Sequence, residues 1–264
     1  MIGVFDFGSG GLTVMRALES ALPHEHFVYL GDHGNPPYGN NASGDIYDLT
    51  LAAVARLFEY GCSLVVIACN TAVATSLHIL KQSWLPAFYP DREVIGVVTP
   101  VAEEAADAAV GSVAVFATQH TVDSNIFATE INKRNPATAV YQQVCNGLAL
   151  LIEQGAPTER LRVEIRKHVD ALLVSTPQVP QVCILGCTHY PLVEPLWRAA
   201  LPGSVRILSQ SRACAENLTE YLQSNPRFSS AKPGSNSFLT TGDVETVSER
   251  ASLFYGARVE FSKI

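Results

Sequence analysis

Charge is scarce in this chain: Asp, Glu, Lys and Arg make up only 16% of its 264 residues, and the formal net charge is −7. No run of five or six like charges marks a solvated tail or a basic patch, and the acidic balance argues against nucleic acid as a partner. Nowhere do 18 apolar residues run together, so no membrane span is expected. The opening residues Met1-Ile2-Gly3-Val4-Phe5-Asp6 carry neither a basic leader nor an apolar segment with a cleavage signal. Among the six cysteines there is no CxxC pair, and no HxxxH-type cluster accompanies them, which leaves structural zinc without its usual ligand pattern. With no export signal, reduced thiols in a cytoplasm are expected rather than a disulfide framework.

What the chain has in quantity is apolar residues, 47% of the total, enough for a substantial core in one large or two smaller domains. Short apolar runs alternate with helical patterns throughout. Strands are predicted at Ile2–Asp6, Phe27–Gly31, Leu64–Ala68, Val94–Val98, Ser112–Ala117, Ala139–Val144, Val182–Gly186, Val205–Leu208 and Phe238–Thr241. Ile46, Leu49, Ala53, Leu57 and Tyr60 form a helical stripe closed by Gly61, and Leu161, Ile165, His168 and Leu172 form another, with Thr158 as its N-cap. Such alternation predicts an α/β fold of βαβ units with mostly parallel sheets.

Two segments share a form. Leu64-Val65-Val66-Ile67-Ala68-Cys69-Asn70-Thr71 and Val182-Cys183-Ile184-Leu185-Gly186-Cys187-Thr188-His189 each run from apolar strand through a small residue to cysteine and polar residues. Ligands of open parallel sheets sit at the carboxyl ends of strands, where Cys69 and Cys187 both fall, one in each half of the chain. This suggests two similar α/β units, each offering one thiol.

Three chemistries compete for these residues. Cys183, Cys187 and His189 offer three soft ligands, but zinc sites want four, and in an extended strand the two sulfurs stand ~13 Å apart at roughly 3.3 Å per residue. Cys183 therefore reads as core. A cysteine hydrolase would use Cys187 with His189, and leaves Cys69-Asn70-Thr71 unexplained. Inversion of a carbon stereocentre needs a proton taken from one face and another delivered to the opposite face, and two facing thiols supply both. Either cysteine alone is more simply a buried sulfur; the matched pair favours the two-thiol reading.

Other strand ends supply candidate binding groups. Gly8-Ser9-Gly10-Gly11 follows the first strand and lets backbone N–H groups approach an anion, although it lacks GK[ST] and the GxGxxG spacing of nucleotide sites. Asp6, at the end of that strand, reads equally as a helix cap or as a thiol's acid–base partner. Asp32-His33-Gly34-Asn35-Pro36-Pro37-Tyr38-Gly39 forms a rigid loop with Tyr38 and the Gly39 amide as candidates. Thr118 and Thr121 sit where a strand gives way to a helix, a position equally suited to capping. His33, His120 and His168 show no evident partner and are assigned no role.

Taken together, Phe5-Asp6-x-Gly8-x-Gly10-Gly11-Leu12-Thr13-Val14, Gly31-Asp32 with Pro37-Tyr38-Gly39, Ala68-Cys69-Asn70-Thr71-Ala72, Ala117-Thr118-x-x-Thr121-Val122, Leu185-Gly186-Cys187-Thr188-His189-Tyr190-Pro191-Leu192 and Thr241-Gly242-Asp243 resemble the glutamate racemases of the cofactor-independent aspartate/glutamate racemase superfamily. The resemblance runs over nearly the whole chain in order, and the CNTA and GCTHYPL segments are its specific part. It implies two similar three-layer α/β domains with the active site in the cleft between them. The first would comprise residues 1–95 and 210–264 and the inserted second 96–209. It implies proton transfer at Cα of glutamate without pyridoxal phosphate or metal, supplying D-glutamate for peptidoglycan in the cytoplasm, by a homodimer. Cys69 and Cys187 become the acid–base pair, Asp6 supporting the first and His189 the second. Tyr38, Gly39, Asn70, Thr71, Thr118, Thr121 and Thr188 would hold the substrate, and Glu153 falls where the family has an acidic residue near the site. Phe7 departs from the family's usual serine, with Ser9 two residues on as a possible substitute. Asp32-His33-Gly34-Asn35 and Thr99 are further departures. These leave open the same chemistry on aspartate or another amino acid.

Overall fold

The computed structural model describes residues 1–35, 43–108, 111–230 and 235–264. They pack as two units: Met1–Val97 with Ser211–Ile264, and Val98–Gln210. The first unit thus takes both ends of the chain.

The first unit is built on β1 (Ile2–Asp6), β2 (Phe27–Gly31), β3 (Leu64–Ile67), β4 (Glu93–Gly96) and, from the far end of the chain, β9 (Ser237–Thr240) and β10 (Ser262–Lys263). Their order across the sheet is β10-β9-β2-β1-β3-β4, every pairing parallel. The second unit holds β5 (Ser112–Ala117), β6 (Ala139–Val144), β7 (Val182–Gly186) and β8 (Arg206–Leu208), in the order β6-β5-β7-β8 and again wholly parallel.

Helices such as Leu12–Ala21 between β1 and β2 and Ser43–Glu59 between β2 and β3 make the crossovers that parallel pairing requires. Every residue of β1, β2, β3, β5 and β7 is buried, which demands cover on both sheet faces and explains why these strands read as unbroken apolar runs. In the second unit Trp197 is fully buried, with ring centroids 4.7 Å from Phe116 and 5.5 Å from Tyr190. Such pairs add about 0.5–1.5 kcal/mol each beyond the area they bury.

Some expectations need correction. The predicted strand Val94–Val98 ends at Gly96, because Val98 begins the helix Val98–Ala108. Similarly, Leu64–Ala68, Val205–Leu208 and Phe238–Thr241 become Leu64–Ile67, Arg206–Leu208 and Ser237–Thr240. Tyr60 lies outside its helix and is 45% exposed; the buried face of that helix runs through Ile46, Thr50, Ala53, Val54, Leu57 and Phe58. Pro157, with its fixed φ, occupies the N-cap position predicted for Thr158, which is instead the first helical residue.

Both sheets share one topology. In each, the chain steps from a first strand to a neighbour on one side, then crosses back to the other side: β1 to β2 to β3, and β5 to β6 to β7. The reversal opens a crevice at the carboxyl ends of the first and third strands, the switch point where ligands bind in such sheets.

Candidate active site

In the first unit the switch point lies between β1 and β3, in register at Phe5 and Ile67, with Ala68 N–H donating to the Phe5 carbonyl at 2.8 Å. Asp6 and Cys69 therefore leave the sheet on neighbouring strand ends. Asp6 is 1% exposed, and its Oδ1 accepts the Gly8 N–H at 2.8 Å, so the carboxylate braces the glycine loop rather than capping the helix at Leu12, which has no side-chain cap. Cys69 is extended (φ −72°, ψ 120°) at the N-cap of the helix that starts at Asn70. Asn70 and Thr71 fill the first turn and are buried. The helical run then widens into i→i+5 turns at Val73–Leu77 and Leu80–Trp84, a departure from regular α-helix often found near functional positions.

Phe7, the departure from the family pattern, is buried with its ring edge-on to Phe5 at 5.1 Å. Its bulk is taken up by this aromatic contact. Ser9 is also buried, and its hydroxyl pairs with His33 Nε2 at 3.1 Å. Tyr38 and Gly39 lie outside the described residues. Thr241, in the late Thr241-Gly242-Asp243 segment, donates to Asp32 Oδ1 and accepts the Gly34 N–H, while Asp243 caps the helix Val244–Tyr255 through the Thr246 N–H. That segment ties the loops after β2 and β9 together.

In the second unit the switch point lies between β5 and β7, with Ala117 opposite Gly186. Thr118 follows β5 at a helix N-cap, yet its hydroxyl does not cap the backbone; its Oγ1 meets Thr121 Oγ1 at 3.0 Å. Cys187 follows β7 and is 7% exposed, with Thr188 buried beside it. The chain then turns through the short helix Tyr190–Val193, where Tyr190 N–H bonds the Cys187 carbonyl at 3.1 Å and the buried Tyr190 ring packs on Trp197.

His189 stands between two groups. Its Nδ1 lies 3.7 Å from Cys187 Sγ, and its Nε2 lies 2.5 Å from Glu153 Oε2 at the end of the helix Leu148–Glu153. Burial alone would lower the imidazole's affinity for its proton, but the bonds to Cys187 and Glu153 outweigh it and hold the His189 pKa well above the ordinary histidine range. A carboxylate accepting from Nε2–H fixes the ring so that Nδ1 faces the sulfur, the geometry of a proton exchanged between thiol and imidazole.

The remaining cysteines are chemically quiet. All six are free thiols; Cys183 is fully buried in β7, and burial pushes its thiol far up. Burial likewise pushes Cys62 and Cys214 up to about 12, and Cys145 further. Among the described residues no group of three or more His, Cys, Asp or Glu is placed to hold a metal ion, and no helix is long and apolar enough to cross a membrane.

The first unit therefore gathers Asp6, Ser9, Cys69, Asn70 and Thr71 around one switch point, and the second gathers Thr118, Thr121, Glu153, Cys187, Thr188 and His189 around the other. Sequence reasoning gave His33 no partner, whereas it bonds Ser9, Gly31 and Thr240. It also placed Glu153 near the site without its bond to His189. No sequence signal marks the contacts with Ser9, Thr240 and Glu153, because those partners lie 24, 207 and 36 residues away.

Residues 2–218 match the family model Asp/Glu/Hydantoin racemase. A glutamate racemase of Roseobacter denitrificans is 42% identical over 274 residues, covering 99% of this chain and 98% of its own length. Among solved structures, a glutamate racemase isoform from Bacillus anthracis superposes with a TM-score of 0.90 at 29% identity, covering 100% of this chain and 97% of its own. The glutamate racemase of Francisella tularensis in complex with D-glutamate gives 0.88 at 27% identity, covering 100% and 96%. A match over most of the chain, with full-length relatives above two-fifths identity, leaves one assignment: the chain belongs to the Asp/Glu/hydantoin racemase family.

Proposed function

We propose that the protein is a glutamate racemase that interconverts L- and D-glutamate by moving the Cα proton between two thiols. One sulfur, as thiolate, removes the proton from one face of Cα; the electron pair left behind is held as the enolate of the adjacent carboxylate. The other sulfur, as thiol, delivers its proton to the opposite face, so the two exchange protonation states with each turnover. Cys69 and Cys187 are these groups. Asp6 supports Cys69 from the neighbouring strand end, and the His189–Glu153 pair takes and returns the Cys187 proton. Asn70, Thr71, Thr118, Thr121 and Thr188, together with Tyr38 and Gly39, hold the substrate's carboxylates and ammonium. The mechanism runs without pyridoxal phosphate or metal, and its product supplies D-glutamate for peptidoglycan assembly in the cytoplasm, from a homodimer.

The observation that carries this reading is the matched placement of the two thiols. Each follows the third strand of a sheet with the same topology, beside the first strand's polar end. The names of the full-length relatives supply the substrate. A hydrolase using Cys187 alone would give Cys69 no work.

Chiral chromatography tests it. L-glutamate incubated with the protein in deuterium oxide is expected to become a D/L mixture carrying deuterium at Cα, with no added cofactor. Aspartate run in parallel should stay unchanged; racemised aspartate beside intact glutamate would reassign the substrate. Cys69→Ser and Cys187→Ser are each expected to lower racemisation at least about 100-fold, and full activity in either variant would sink the two-thiol mechanism.

A further inference from the structure

The His33 ring is held on three sides within the first unit. Its Nδ1 lies 3.0 Å from the Gly31 carbonyl oxygen and 2.9 Å from Thr240 Oγ1. A carbonyl can only accept, so Nδ1 carries the proton. Thr240 Oγ1 is itself fixed, accepting the Gly242 N–H at 2.9 Å, and Thr240 is fully buried. Phe261 closes another side, edge-on at 5.8 Å. The ring also lies where a side chain at Gly31 would stand: a Cβ there would be 2.2 Å from His33 Cε1. Glycine at that strand end is what admits the imidazole.

The other ring nitrogen, Nε2, makes a hydrogen-bond contact with Ser9 Oγ at 3.1 Å. Ser9 sits in the glycine loop. It is flanked by Gly8, whose carbonyl accepts the Tyr29 hydroxyl at 2.7 Å and whose N–H donates to Asp6 Oδ1 at 2.8 Å. A continuous chain of contacts therefore runs from the β2 and β9 ends through His33 and Ser9 into the glycine loop, and ends on the Asp6 carboxylate. Glycine-rich loops have many accessible conformations, so one that carries a hydrogen-bond donor for a buried carboxylate needs such a fastening.

We infer that His33, acting through Ser9, is a positioning residue for Asp6: it fastens the Gly8–Gly11 loop so that the Gly8 N–H orients the carboxylate beside Cys69. This rests on the reading above that Asp6 supports Cys69 in proton transfer. The effect of His33 and Ser9 on Asp6 passes through Gly8.

The test uses Ser9→Ala, His33→Ala and the double variant in the full chain, with thermal unfolding to show which are folded; Ser9→Ala, the smaller change, carries the test if His33→Ala fails to fold. By nuclear magnetic resonance the Gly8 amide proton is expected to move upfield in each variant as its bond to Asp6 loosens, a readout that needs no activity. An unmoved Gly8 amide in folded Ser9→Ala overturns the inference whether or not the protein racemises glutamate. In the racemisation assay kcat is expected to fall about tenfold in each single variant with KM within about twofold. A series relay makes the double variant no slower than the slower single one, and multiplying losses would overturn it. With α-deuterated substrates the primary isotope effect should rise for the enantiomer whose proton Cys69 handles and fall for the other; equal changes for both enantiomers would mean a general structural role. Wild-type protein that moves no Cα proton would instead sink the functional reading, leaving the amide shift to decide the inference.

Discussion

Glu153 Oε2 meets His189 Nε2 at 2.5 Å, across 36 residues of sequence, and so presents the opposite ring nitrogen to the Cys187 sulfur. The pair is largely buried, with side chains 21% and 13% exposed, where a charge-assisted bond is stronger than in water. After the Cys187 sulfur, Glu153 is the group that holds the proton on His189 against the cost of burial.

Glu153→Gln removes that charge, and the His189 pKa should fall toward its ordinary value. Because the folded pKa is raised, the stabilisation from this proton is fully present below the unfolded value of about 6.5 and is lost as pH rises through the folded value. Urea unfolding of the wild type across this range should show stability declining above about pH 6.5, and the decline should be smaller in Glu153→Gln. Racemisation by this variant should fall about 10- to 100-fold. Identical pH–stability curves for the two proteins would remove Glu153 from this role.

The thiols should separate by reactivity. Cys69 is partly exposed, whereas Cys62, Cys145, Cys183 and Cys214 are 2% exposed or less, with their thiols pushed up by burial. Brief iodoacetamide treatment of the native protein followed by peptide mass spectrometry should find Cys69 modified at least about 100-fold faster than these four, which react only after unfolding. Rapid native labelling of Cys62 or Cys183 would contradict their burial.

Gly11→Ala probes the close approach of loop and carboxylate. The backbone at Gly11 (φ −62°) suits alanine, but the added Cβ would lie 2.5 Å from Asp6 Cβ and 3.0 Å from its Cγ. Asp6 must move. We expect a loss of about 1–3 kcal/mol in stability from the overpacking and about 100-fold lower kcat/KM from the displaced carboxylate, with circular dichroism showing an unchanged fold. Wild-type turnover would show that Asp6 can shift without consequence.

Much of the fold could be read from local pattern because parallel strands buried on both faces leave continuous apolar runs. Ile2–Asp6, Phe27–Gly31, Ser112–Ala117 and Val182–Gly186 are found where that pattern placed them, and Ala139–Val144 is found as expected although it is an edge strand with no buried residue. Apolar content does not mark where pairing stops, so Ala68 and Val98 were carried into strands they do not join. Ser262–Lys263 is exposed and has no apolar signal; it is a strand only because it pairs with Leu239 and Thr240. The buried face of Ser43–Glu59 was likewise a matter of what lies against it: Thr50 turns inward, its hydroxyl satisfied by the Ile46 carbonyl at 2.7 Å, while Tyr60 turns out.

For the site, residue types and their order sufficed to pick out Cys69, Cys187, Asp6 and His189 as candidates, because strand-end polar groups interrupt apolar runs and stand out in a one-dimensional reading. The sequence by itself thus determined the α/β class, the parallel sheets and the two strand ends that carry thiols. Only the tertiary structure decided which nitrogen of His189 faces sulfur, that Glu153 holds the other, and that His33 holds Ser9. Hydrogen bonds and burial depend on distances of a few ångströms between residues far apart in the chain, and no local pattern records them.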